Sequence, residues 1–325
     1  MVIVIMPTPW LRRLDFLPPW GAWALGLGGG ALAGAALAGA APGAAGILGF
    51  LALLGAAAGL AASGEPIAVV ERAGPGVQPP LVDLVEIRGG SFLMGSPESE
   101  EGRFDNEGPV HPVRISPFAC MRLPVTRRLY AETLGQDPGW PKGEADERPV
   151  NNVSWLDAVE FCNRLSERAG LEPCYRIEGE RVDWNRTATG DRLLTEAEWE
   201  YACRAGTTTR FSFGDDEEQL GGHAWFDDNS NNEPQPVGGK LPNALGLHGM
   251  HGNVWEWCWD WFGSYTAERQ TDPAGPDDGA GRTLRGGSFI DSPGNLRSAG
   301  RGWNPPPVRN GGTGFRCARS PRRQP

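Results

Sequence analysis

The rhythm of apolar and polar positions changes sharply along this chain. From Trp20 to Ser63 no charged residue occurs, with Arg12, Arg13 and Asp15 before the run and Glu65 after it. One bilayer span needs about 20 apolar residues, and Pro42-Gly43 falls where a turn would divide the run. The pattern predicts a membrane anchor over residues 1–64, a two-helix transmembrane hairpin buried in the membrane through residues 20–62. A single span through the more apolar Ile47–Leu60 half and a secretory signal are the alternatives. Arg12 and Arg13 hold the amino terminus in the cytoplasm under the positive-inside rule, so two spans return the following domain to that side and one exports it. The side of the membrane is left open. Residues 65–80 are rich in Pro and Gly and read as an extended linker.

From residue 81 the pattern becomes that of a folded domain. Val82–Ile87 is apolar at 82, 84 and 85, Gly89-Gly90 follows, and Ser91–Met94 completes what reads as a short hairpin. Glu98–Gly108 is an acidic loop, and His111–Ile115 alternates as an edge strand with proline near its start. Thr126 is placed to cap a short helix reaching Leu134. The clearest helix follows Ser154, with Asp157 three residues on, Leu156, Val159, Cys162, Leu165 and Ala169 on one face, and Gly170 as the stop. Thr195 and Glu198 repeat the capping box ahead of Trp199, Ala202 and Cys203, and Gly206 ends that helix.

Composition narrows the class. With 47 Gly and 29 Pro among 325 residues, and 13 Trp, the chain suits a loop-rich α+β globule with a sizeable core. A net charge of −10 argues against a nucleic-acid partner, which would need a basic surface. The basic end, residues 320–325, is short and reads as a solvated tail.

The carboxy-terminal stretch from Arg285 to Arg319 obeys neither period. Its glycines, arginines and asparagines form a frame able to turn and hydrogen-bond irregular backbone. Between them stand Phe289, Ile290, Asp291, Ser292, Gly294, Gly300, Gly302, Trp303, Asn304, Val308, Asn310, Gly311 and Gly312, which read as a surface over residues 286–314. Phe289, Ile290, Trp303 and Val308 would supply apolar contact, and Asp291, Asn304 and Asn310 orientation.

Val85–Gly95, Pro149–Trp155, Arg192–Ala202, Gly252–Trp257, Arg285–Ser288 and Gly314–Arg316 together resemble the formylglycine-generating-enzyme, or sulfatase-modifying factor, family. The resemblance implies a C-type-lectin-like fold over residues 81–319. It also implies where chemistry would lie. Oxidases of this family hold copper with two cysteines after Arg-Gly-Gly-Ser, and here Asp291 and Leu296 take those positions, so the soft thiolates copper(I) requires are missing. A related sulfoxide-synthase family places a His-rich domain before this fold, and none is present. The six cysteines show no zinc spacing, and Cys162 and Cys203 read as small buried hydrophobes. His248 and His251 form no evident metal cluster. By resemblance Gly252, Val254 and Glu256 would bind a structural calcium ion; alternatively the tryptophans at 255, 257, 259 and 261 alternate into and out of a core and Glu256 pairs an arginine.

Some proteins of this fold are the variable products of diversity-generating retroelements, and the tail resembles that class. An AAC codon randomised at its adenines never yields Lys, Glu, Gln or Met, and Gly286–Ala318 contains none of them; Trp303 departs from the set. The leading expectation is a non-catalytic, membrane-anchored protein that binds an unidentified protein or other macromolecular ligand through a diversified surface and requires no cofactor. The alternatives are an oxidase that has lost its copper cysteines and a fixed structural member of a membrane-associated assembly.

Overall fold

The computed structural model describes residues 82–135 and 144–321. The expected anchor, the whole linker and the end of the basic tail lie outside the described residues. Among the described residues no helix is long and apolar enough to cross a membrane.

Among the described residues thirteen short strands and four α-helices make a mixed α+β domain. β1 (Leu84–Ile87), β4 (Phe118–Met121), β13 (Cys317–Arg319) and β7 (Asp191–Leu193) form one sheet in the order β1-β4-β13-β7. A second runs β11-β10-β8-β12, from β11 (Arg301–Asn304), β10 (Arg282–Arg285), β8 (Trp255–Trp261) and β12 (Thr313–Gly314). β2 (Gly90–Met94), β3 (His111–Ile115) and β9 (Gln270–Thr271) form a third, and β5 (Tyr175–Glu178) pairs with β6 (Arg181–Trp184). The helices are α1 (Arg127–Leu134), α2 (Trp155–Arg168), α3 (Glu196–Arg204) and the single turn α4 (Leu220–His223).

The expected opening hairpin is not formed: β1 pairs with β4 and β2 with β3, in separate sheets. Two long bent strands are nested here, and the bend passes through Gly89, where a Cβ would lie 2.3 Å from Ile115 O and 2.7 Å from Pro117 N. Any side chain would push the two corners apart. Nor is β3 an edge strand. β9 pairs with it in parallel through Val113 and Arg114.

The helix starts follow their capping residues. Thr126 Oγ1 accepts the Leu129 N–H at 3.1 Å, and full capping boxes form at Ser154/Asp157 and Thr195/Glu198, each cap worth about 1 kcal/mol. On α2 the buried face is set by Trp155, Ala158, Val159, Phe161, Cys162 and Leu165, while Ala169 is exposed. Two large apolar clusters fill most of the interior, one around Trp155, Phe161, Trp257 and Phe315, the other around Trp199, Phe118 and Ile115, and a smaller third gathers Phe211, Leu220, Phe226 and Leu296. Truncating a wholly buried tryptophan such as Trp199 to alanine costs roughly 3–5 kcal/mol in sites of this kind.

On β8, residues two apart share a face, so Trp255, Trp257, Trp259 and Trp261 all point one way and buried Glu256, Cys258 and Asp260 the other. The tryptophans therefore do not alternate into and out of a core. Trp257 is buried, and the other three are partly covered.

Candidate ligand-binding surface

Four arginines of the carboxy-terminal frame are buried, and each is held by carboxylates from distant elements. Arg285 pairs with Glu200 on α3 and donates to the carbonyls of Ala299 (2.8 Å), Gly300 (2.6 Å) and Ser298 (3.1 Å). Arg297 meets Glu107 and Glu100 and reaches Gly294 O at 2.9 Å. Arg301 grips both oxygens of Glu196 at 2.6 and 2.8 Å. Arg316 clasps Glu256 with two contacts of 2.7 Å. These forks hold backbone that has no sheet ladder of its own, which fixes the loops between them. Partner-free burial of any one charge would cost several kcal/mol.

Sequence reasoning expected arginines to support irregular backbone here, and they do. It did not find the carboxylate partners. Glu196, Glu198 and Glu200 are all buried on α3, although glutamates in a helix normally read as its wet face.

Against this frame the thirteen candidate surface residues separate into three groups. Ile290 (55% exposed), Trp303 (47%), Val308 (36%), Ser292, Asn310 and Gly311 reach solvent. Asp291, Gly294, Gly302 and Asn304 are half-buried. Phe289 (8% exposed), Gly300 and Gly312 are buried and belong to the frame. A Cβ at Gly300 would sit 2.7 Å from Asn295 O, so the position excludes a side chain rather than displaying one. Phe289 fails as an exposed anchor because its amide donates to Asn253 O at 2.9 Å and its carbonyl accepts Ser230 Oγ at 2.7 Å, turning the ring inward.

Trp255 draws separated pieces of the tail together. Its indole N–H donates to Asp291 Oδ2 at 2.8 Å, its ring lies under Gly302, and its backbone N–H donates to Gly312 O at 2.8 Å. Asp291 also accepts the Ser288 N–H at 2.9 Å and the Asn295 side-chain amide at 3.3 Å. Asp291 thus orients the loop as much as it faces a ligand. Nothing in the tail's own sequence signalled Trp255; its place on a strand of tryptophans made it look like core.

The residues expected to bind calcium do not fit that ion. Glu256 Oε2 accepts both Arg316 Nε and Trp199 Nε1 (2.8 Å), Oε1 accepts Arg316 Nη2, and the Gly252 carbonyl accepts the Val254 N–H at 2.9 Å. A dication beside Glu256 would share its carboxylate with a guanidinium already in contact. The reading in which Glu256 pairs an arginine describes this geometry.

His251 is buried and has structural partners. Its Nδ1–H donates to Leu296 O at 2.7 Å, and Nε2 accepts Ser212 Oγ–H at 2.8 Å and Ser212 N–H at 3.1 Å. A second ring proton would face an N–H donor, and burial pushes the pKa down to about 4. His248 makes a separate contact with Lys240 O. Leu296, one of the two positions where family oxidases carry copper cysteines, is wholly buried beside Phe211 and Phe226. All six cysteines are buried free thiols, and burial raises each of them, Cys120 and Cys203 to about 12 and Cys174 to about 11. None is poised as a thiolate.

A C-type-lectin-like α+β domain with an arginine-locked tail defines the structural class, and comparison with known proteins gives the family. Residues 71–321 match the sulfatase-modifying factor enzyme 1-like domain, and the chain belongs to that family. It is 34% identical over 300 residues to the formylglycine-generating enzyme of Streptomyces coelicolor, covering 79% of this chain and 95% of that one. It is 33% identical to the hercynine oxygenase of Mycolicibacterium smegmatis, over 72% of this chain and 60% of the relative. Among solved structures it resembles Treponema denticola variable protein 1, with a TM-score of 0.68 and 32% identity over 73% of this chain and 95% of that chain. The relatives of this chain therefore include enzymes, and its structural neighbours include this Treponema variable protein.

Proposed function

We propose that this chain is a non-catalytic ligand-binding protein that displays residues 286–314 as a diversified surface. The observation that carries the reading is the division of labour in the tail. Ile290, Trp303 and Val308 are large apolar side chains left in water, while Phe289, Arg297, Gly300, Arg301 and Gly312 around them in the chain are buried. Ordinary surfaces scatter such residues singly, whereas three within one short segment suit a binding face. The likeness to Treponema denticola variable protein 1 supports the same reading. The partner is a protein or other macromolecule rather than a nucleic acid, in keeping with the net charge of −10. An anchor at residues 20–62 would hold the display at a membrane. The test is the DNA beside the gene. A near-copy of the segment encoding Arg285–Arg316, differing at adenines and adjacent to a reverse transcriptase, would establish diversification, and its absence would remove that support.

Identity to formylglycine-generating enzymes favours a second reading, an oxidase. Asp291 and Leu296 occupy the positions where those enzymes carry copper cysteines, and neither can act as a soft copper ligand. Copper-dependent oxidation of a substrate thiol by the purified chain would support this reading over the first.

A further inference from the structure

Among the described residues seven carboxylates are buried: Glu107, Asp191, Glu196, Glu198, Glu200, Glu256 and Asp260. Six have an arginine within ion-pair distance. Asp260 has none. Its Oδ2 accepts the Glu196 N–H at 2.9 Å, and apart from its own backbone N–H the carboxylate has no other donor among the described residues. Arg282, whose charge interacts with it at longer range, stacks at 3.8 Å on both Trp155 and Trp261 and makes no ion pair with it.

Asp260 lines a cavity of about 320 Å³ between the end of β8 and the Pro273–Pro276 turn. His111, only 1% exposed, lines the same space. Its Nδ1–H donates to Pro109 O at 3.0 Å, which leaves Nε2 of the neutral ring as an acceptor with no partner among the described residues. Met94, Trp261, Tyr265 and Pro276 form its apolar side, and Glu196, Ser264, Gln270 and Arg301 add polar groups to the lining. Tyr265 is fixed by its hydroxyl on Glu196 at 3.0 Å and by the Arg301 guanidinium 3.8 Å from its ring centre. Glu196 is neutralised by Arg301, so Asp260 is the acid of the cavity that lacks a counter-ion.

We propose that this cavity binds a small organic cation, a primary ammonium group on a compact apolar body, with Asp260 as its counter-ion. His111 Nε2 accepts a second ammonium hydrogen, and Met94, Trp261, Tyr265 and Pro276 receive the apolar body, the two rings being already engaged as cation acceptors by Arg282 and Arg301. A compact ammonium with three donors matches separate single acceptors better than a planar guanidinium does. A metal ion is the poorer match, because among the described residues no group of three His, Cys, Asp or Glu side chains is arranged to hold one. Burial and the nearby carboxylates of Glu196 and Glu198 push the Asp260 pKa well up, so a bound ammonium replaces a proton that the empty site must otherwise keep. This inference is independent of the displayed tail.

The experiment uses the full chain and matched probes, ethylammonium and benzylammonium against ethanol and benzyl alcohol, by calorimetry and by NMR of the His111 and Trp261 rings. The expected result is that at least one ammonium ion binds about tenfold or more tightly than its alcohol and shifts both ring signals, and that Asp260→Asn removes this preference while leaving alcohol affinity unchanged. Should Asp260→Asn fail to fold, the wild-type comparison decides. Equal affinity for ion and alcohol, no binding of either ion at millimolar concentration, or an unaltered preference in Asp260→Asn would overturn the proposal and leave Asp260 as a buried neutral acid.

Discussion

Arg285 and Trp303 lie eighteen positions apart in the same tail, and they stand in opposite surroundings. Arg285 is wholly buried, tied to a carboxylate on α3 and to three carbonyls of the loop that follows it. Trp303 is half in water, resting on the edge of Gly281 with Phe262 at 6.3 Å. The first can change only at the expense of the fold. The second can change at the expense of whatever touches it. A surface that varies therefore needs a frame that does not depend on its side chains, and buried ion pairs supply one where sheet hydrogen bonds run out.

The largest break should come from the frame. Arg285→Met strips the donors from Ser298, Ala299 and Gly300 and should lower stability by about 3–5 kcal/mol in urea unfolding. Next comes acid. The His251 imidazole titrates near 6.5 in the unfolded chain but is held to about 4 in the fold by burial. Between those values the unfolded state binds the extra proton, so stability falls as pH drops from about 6.5 to 4, by about 3 kcal/mol in all. Above pH 7 the contribution is complete. His251→Asn should flatten that slope in melts taken across the range.

Smaller effects sharpen the contrast from the other side. Trp303→Ala should weaken ligand binding by about 2 kcal/mol or more if the tryptophan anchors the partner, and should change unfolding free energy by about 1 kcal/mol or less. Ile290→Ser should leave stability within about 0.5 kcal/mol. A calcium chelator should leave the melting temperature unchanged, since Arg316 already neutralises Glu256; a drop of several degrees would restore calcium to that segment.

What the sequence revealed was local. Ser154, Thr195 and Thr126 marked helix starts because a cap is a contact between neighbours, and the inward faces of the two longer helices followed. Long-range pairing was hidden. Glu196 meets an arginine 105 residues away and Glu200 one 85 residues away, so a helix face that is polar in sequence is core in space. The bend at Gly89 turned an apparent hairpin into two sheets for the same reason. In the tail, residue type separated frame from surface at Arg285, Ile290, Trp303 and Val308. It failed at Phe289, Gly300 and Gly312, whose burial depends on Asn253, Asn295 and Ser288 arriving from elsewhere. Trp255, which gathers Asp291, Gly302 and Gly312, carried no mark of that task.

The central claim is that Ile290, Ser292, Trp303, Val308 and Asn310 are carried by the fold without supporting it. The direct measurement is thermal unfolding of a library randomised at those five positions together, set beside one randomised at Phe289, Gly300 and Gly312. The account predicts that most members of the first library melt within a few degrees of the parent and that most members of the second do not fold. Widespread loss of folding in the first library would contradict it.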